Sequence, residues 1–428
     1  MSCDALVIGA GPAGSTTAIL LARAGWSVAI VEKCPFPRPK VCGEFISATT
    51  VPTLDSLGLG GAFRDAAGPE IRRIGLLAKD TALCAAMPTH AAPGDRWGRA
   101  LGREKLDMLL LERARSAGAQ LWQPYAAVGL RAERGLQRCK IATRDREVVL
   151  RARIVVAAHG SWERGALPTQ LARPHRDSDL LAFKARFHDC DLSPDLMPLL
   201  AFPGGYGGMV QSDAGRATLS LCIRRDALRE ARKSCPRGRA AVAVFEHLLA
   251  QCRGLREILR GATLEGPWLS AGPIRPGIGP GYASDVFRAG NAAGEAHPII
   301  AEGISMAIQS ADLLARQLIA AADDVSIEDR RAQIGAAYAA EWRRRFASRI
   351  HAAGLFAQLA MRGRSAGLLL PVLRAWPELL TLGGKLSGKA TARGSDVDGS
   401  VYGGGGGNRT RVRKLSAFGS TCLVRLLF

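Results

Sequence analysis

The strongest constraint on this chain is local. Residues 5–32 read ALVIGAGPAGSTTAILLARAGWSVAIVE. An apolar run from Ala5 to Ile8 leads into Gly9, Gly11 and Gly14, a helix-forming stretch follows, and a β-rich run from Ser27 to Val31 ends on Glu32. A Gly-x-Gly-x-x-Gly turn between a strand and a helix predicts a βαβ unit in a parallel sheet. Gly9 suits the tight turn, Gly11 lets a pyrophosphate approach the backbone, and Gly14 lets the helix pack closely on the strand. The helix N-terminus, with Ala13 in its first turn, offers unpaired N–H groups and a partial positive charge. Glu32 stands where an acid accepts the ribose hydroxyls of an adenosine, and Lys33 follows it. These residues predict a dinucleotide site for FAD or NAD.

The rest of the composition narrows the class by exclusion. No apolar run approaches the roughly 18 residues of a spanning helix. A strand begins within a few residues of Met1, so no signal peptide is expected. The ten cysteines have no CxxC or zinc-like spacing, which suits free thiols in a reducing cytoplasm. The net charge of +20 is carried mostly by arginine, yet no basic helix with interleaved aromatics stands out, so no nucleic-acid partner is expected. No metal site is expected either.

Residues 103–118 have apolar side chains at helical spacing and stop at Gly118, which predicts a helix. Three β-like runs follow, Ala126–Ala132, Arg138–Ala142 and Glu147–Ala152, as an antiparallel meander. The buried-strand pattern Ala152 to Gly160 then rejoins the parallel sheet. Alternating segments Leu180–Phe187 and Arg216–Arg224 predict an inserted antiparallel sheet, with one helix across Arg239–Leu259. The expected organisation is a discontinuous nucleotide domain (1–163 plus 274–325) and a substrate domain (164–273). A basic helical region (326–389) and a disordered or non-native tail (390–428) complete it. The RTRVRK patch and the Asn408-Arg409-Thr410 sequon read as accidental. The basic segment Ala340–Ile350 and the apolar stretch Leu368–Leu373 suggest two roles, a helical cap on the nucleotide domain or a peripheral membrane contact.

Three pieces recur together: the N-terminal fingerprint, the strand ending Ala157–Gly165, and RAGNAAGEAHPIIAEGISMAI (Arg288 to Ile308). With the Arg103…Asp107 helix they resemble the FAD-dependent family that includes p-hydroxybenzoate-type hydroxylases, flavin-dependent halogenases and geranylgeranyl-reductase-like enzymes. The resemblance covers roughly residues 1–325. It implies an α/β fold, with a Rossmann-type FAD-binding domain, an inserted antiparallel substrate sheet and a C-terminal helical region. It also implies FAD as cofactor and NAD(P)H as reductant. His159-Gly160 stands where that family usually has Asp-Gly, and Gly290-Asn291 where it has Gly-Asp. Asn291 keeps an acceptor oxygen for a ribityl hydroxyl. His159 is either a neutral hydrogen-bonding substitute or a structural histidine.

Independently of the family, Pro298, a turn and Glu302-Gly303 open a helix from Ile304 to Ala320. Its N-terminus could stabilise negative charge on a flavin pyrimidine ring. His297 beside it is a candidate catalytic residue or a loop histidine with a backbone partner. The loop Phe36–Ser47 (FPRPKVCGEFIS) resembles the Cys-Gly loop of the reductase-like branch. There Arg38 would place a phosphate, Gly43 would allow close approach to the ring, and Cys42 is a near-flavin group or a small apolar filler. FPGGYGG (Phe202 to Gly208) is similar to the aromatic–Gly strand that walls the cavity in that branch, with Tyr206 a substrate-wall residue. A single fingerprint and no redox CxxxxC pair exclude a disulfide-reductase-like enzyme. What remains is a monooxygenase or ene-reductase acting on an apolar or aromatic metabolite. A halogenase, or a membrane-surface flavin-binding protein with little turnover, is the alternative.

Overall fold

In the computed structural model the first strand, Ser2–Ile8, lies inside an eight-stranded sheet. Residues 1–90, 94–133, 135–160, 165, 167–170, 174–235 and 238–390 are described, without the side chains of 364–367. The 391–428 segment, with its basic patch and sequon, and residues 161–164 of the Ala157–Gly165 segment lie outside them.

Ser2–Ile8 pairs in parallel with Val28–Val31 on one side and with Glu147–Ala157 on the other. Gln120–Trp122 and Val286–Arg288 extend the parallel register outward. Both faces of the central strand are covered. Ala5 and Val7 point to the core beneath the fingerprint helix Pro12–Arg23, and Leu6 and Ile8 to the core beneath the meander. This is why the strand reads as a continuous apolar run rather than an alternation. The helices Arg103–Ser116 and Gly303–Ala320 pack beside the fingerprint helix.

The meander forms, with one difference. Glu147–Ala157 is a single strand, so the third run and the strand that rejoins the sheet are one element. Its first half pairs antiparallel with Leu136–Ala142, and its second half carries the parallel ladder to Ser2–Ile8.

The second sheet has seven strands, in the order Thr263–Ile274, Leu180–His188, Ala217–Arg224, Gly205–Gln211, Leu196–Phe202, Arg73–Ala78, Thr81–Ala86. All pairings are antiparallel except Leu196–Phe202 with Arg73–Ala78. The hairpin at 73–86 therefore belongs to this sheet, although it lies within the 1–163 span assigned to the nucleotide domain. Its partner is more than 100 residues away in the chain, and local pattern carries no information about such a pairing. The helix expected across Arg239–Leu259 is two, Ala240–Gln251 and Arg253–Ile258, broken at Cys252 by an extended backbone.

The C-terminal region is three helices, Glu328–Met361, Gly363–Ala375 and Glu378–Leu386. The first lays Tyr338, Trp342 and Phe346 into the core of the nucleotide domain. No helix among the described residues is long and apolar enough to cross a membrane.

Candidate active site and cofactor cradle

The two sheets meet around a cavity of about 470 Å³. Strand ends, the fingerprint turn, the 36–47 loop and the start of Gly303–Ala320 all open into it. Gly9, Gly11 and Ala13 line it with Glu32, Lys33 and Arg38; Gly43 and Arg103 with His159 and Gly160; Gly290 and Asn291 with Pro298, Gly303 and Ile304. Cys42, Tyr206 and His297 line it too. Gly14 is the exception, and its reason is visible. A Cβ there would lie 1.8 Å from the Gly9 carbonyl oxygen, so Gly14 serves the helix–turn packing and not the cavity surface.

Each candidate is held by a specific neighbour. The Glu32 carboxylate accepts from the Ala10 and Cys34 amides at 2.9 Å each, and from Arg38 at 3.3 Å. These donors fix both oxygens at the end of the second strand. Arg38 also stacks on Phe36, 4.9 Å from the ring centre. Arg103 forms a two-pronged ion pair with Asp107 at 2.8 Å, one helical turn on. Burial opposes the Arg103 charge, and Asp107 outweighs it and holds the guanidinium protonated. Asn291 donates to Glu295 at 2.8 Å. The His159 ring lies 2.8 Å from the Thr169 hydroxyl.

The glycines test whether a flat cofactor fits. A Cβ added at Gly43, Gly160 or Gly303 would meet no atom within 4 Å, and one at Gly11 only the Arg103 guanidinium at 3.8 Å. Backbone at these four positions therefore faces open space, which is the cradle an FAD needs. Gly11, Glu32, Arg38 and Arg103 would hold its ADP half. Asn291 and the helix start at Gly303 would hold the ribityl and flavin end. The described cysteines are free thiols, and no acid, thiol or histidine cluster among the described residues could hold a metal.

A polar pair at the cavity wall was only half visible in the sequence. Tyr206 Oη lies 3.2 Å from His297 Nδ1, joining the second sheet to the loop before Gly303–Ala320. Burial pushes the His297 imidazole down to about 4, so the ring is neutral near pH 7. Burial likewise pushes the Tyr206 phenol well above its usual value, and the Cys222 thiol beside it up to about 12.

A further cluster has no signal in the sequence. Glu44 is fully buried in a left-handed backbone conformation (φ 64°). Its carboxylate receives Lys184, Arg186 at 3.0 Å, the Thr218 hydroxyl at 2.7 Å and the Arg103 amide at 3.0 Å. This knot fixes the 36–47 loop to the second sheet and to the Arg103 helix. Its members come from four separate segments, and Glu44, Lys184 and Arg186 each read alone as an ordinary charged residue.

A model of the FAD binding domain matches residues 2–350. The chain belongs to that family. Among curated relatives, it is 33% identical over 129 residues to the menaquinone reductase of Mycobacterium tuberculosis, 30% of this chain and 31% of that protein. It is 30% identical over 236 residues to the digeranylgeranylglycerophospholipid reductase of Thermoplasma volcanium, 51% of this chain and 56% of that protein. The matched regions thus span between about a third and just over half of these relatives. Among solved structures, a flavin-dependent brominase superposes with a TM-score of 0.73 at 18% identity, covering 91% of this chain and 94% of the brominase. That likeness shows a shared fold.

Proposed function

We propose that this flavoprotein is an FAD-dependent ene-reductase that saturates carbon–carbon double bonds of an apolar, polyprenyl-type molecule, with NAD(P)H as the reductant. The observation that carries this reading is the buried Tyr206–His297 pair at the cavity wall. Saturating a double bond takes a hydride equivalent at one carbon and a proton at the other. The hydride equivalent is the chemistry that bound, reduced FAD supplies. The proton comes from the protein. With its proton on Nδ1, neutral His297 donates to the Tyr206 oxygen and turns the phenol O–H toward the cavity. As Tyr206 gives up its proton, His297 passes one to it. His297 also lines a second, polar cavity of about 1110 Å³, through which water can return a proton to the ring. The names of the two curated relatives support the same reading, since both act on molecules that carry isoprenoid chains.

The test is anaerobic turnover of the FAD-loaded, NADPH-reduced protein with menaquinone or a geranylgeranyl lipid in D₂O. The product gains two hydrogens per bond, at least one of them a deuteron from the solvent. Tyr206→Phe lowers the rate on the order of 100-fold or more with FAD content unchanged. Turnover that requires O₂ and yields an oxygenated or halogenated product overturns the reading.

A further inference from the structure

The last two helices present an apolar face that nothing among the described residues covers. Leu368 is 78% exposed, Trp376 61% and Leu386 55%; Val372, Leu379 and Leu382 are exposed as well. These are six of the twelve large apolar side chains exposed among the described residues, gathered within 19 positions. Leu368 and Val372 share one side of Gly363–Ala375, Leu379, Leu382 and Leu386 lie at helical spacing along Glu378–Leu386, and Trp376 sits in the turn between the two helices. A contiguous patch of this kind marks an interaction surface rather than the scattered exposure normal for soluble proteins.

Charge identifies the occupant. Between 362 and 385 the sequence carries Arg362, Arg364, Arg374 and Lys385 against the single acid Glu378, within a chain of net charge +20. Arg362, Arg374 and Lys385 are exposed beside the apolar residues. Apolar side chains with an exposed tryptophan, bordered by basic ones on short helices, fit the interface of a bilayer with anionic headgroups. The preceding helix does not compete for this role, because Tyr338, Trp342 and Phe346 are buried in the core. Met361 and Arg362, where the exposed helices begin, line the mouth of the polar cavity that reaches His297.

We infer that the face made by Leu368, Val372, Trp376, Leu379, Leu382 and Leu386 docks this protein on an anionic membrane surface. The inference rests on the surface itself and stands whether or not the ene-reductase reading does. Its test is flotation of the full FAD-loaded chain with vesicles of phosphatidylcholine alone or mixed equally with phosphatidylglycerol. The wild type floats with the mixed vesicles and at least tenfold less with phosphatidylcholine. Leu368→Ser combined with Trp376→Ser lowers flotation at least tenfold while FAD stoichiometry and the visible spectrum are retained, which shows an intact fold. Failure of the wild type to float overturns the inference, and so does equal flotation of the double variant. A wild-type dimer that the double variant converts to monomer, by light scattering without lipid, also overturns it and assigns the face to a second copy.

Discussion

At the scale of single residues, two buried constellations decide how the site is held. Lys184 and Glu44 are 1% and 0% exposed, so each buried charge depends on the other as a counter-charge. Lys184→Met leaves Glu44 with Arg186 and Thr218 and costs about 3 kcal/mol, read as a lower denaturation midpoint. The second constellation titrates. Burial lowers the His297 imidazole to about 4 from an ordinary value near 6.5, so between those pH values the unfolded chain binds a proton that the folded one refuses. Its contribution is intact above pH 6.5 and is lost as pH falls toward 4. The unfolding temperature of the wild type therefore drops more steeply across that window than that of His297→Gln, which has no ring to titrate. Equal slopes would show that the ring is not buried against its charge.

At the scale of elements, the fingerprint turn separates packing from binding. Gly14 and Gly11 look equivalent in the motif, yet they meet different surroundings. A methyl group at Gly14 collides with the Gly9 carbonyl, whereas one at Gly11 enters the cavity. Gly14→Ala therefore destabilises the apoprotein by about 1–3 kcal/mol or more. Gly11→Ala leaves the apoprotein melting point within a degree or two and weakens FAD binding at least tenfold, measured by fluorescence titration. The turn, the helix and the acid at the second strand's end were legible because they are contiguous and each carries a known backbone demand. The hairpin at 73–86 was not, because the strand that receives it lies beyond residue 195. Similarly, the break at Cys252 has no proline or glycine at that position to announce it.

At the scale of the whole molecule, the C-terminal region closes back on the nucleotide domain. Lys389 is buried beside Glu302, donates to it at 2.8 Å, and sits 4.9 Å from the Phe45 ring centre. Glu302 immediately precedes the helix whose start lines the cavity, so residue 389 braces the far end of the cofactor cradle. Lys389→Met strands a buried carboxylate there, costs about 3 kcal/mol, and speeds FAD release, followed by recovery of flavin fluorescence. The sequence by itself determined the βαβ unit, a dinucleotide site and the backbone turns that line the cavity. Each of those follows from what a short contiguous stretch of backbone must do around a phosphate or a ring. Only the tertiary structure decided that Tyr206 meets His297, that Lys184 and Arg186 converge on Glu44, and that Lys389 returns to Glu302. These pairs span 87 to 142 residues of chain and involve groups whose energetics change sign with burial. A charge or a phenol reads as surface in a sequence until the fold takes its water away.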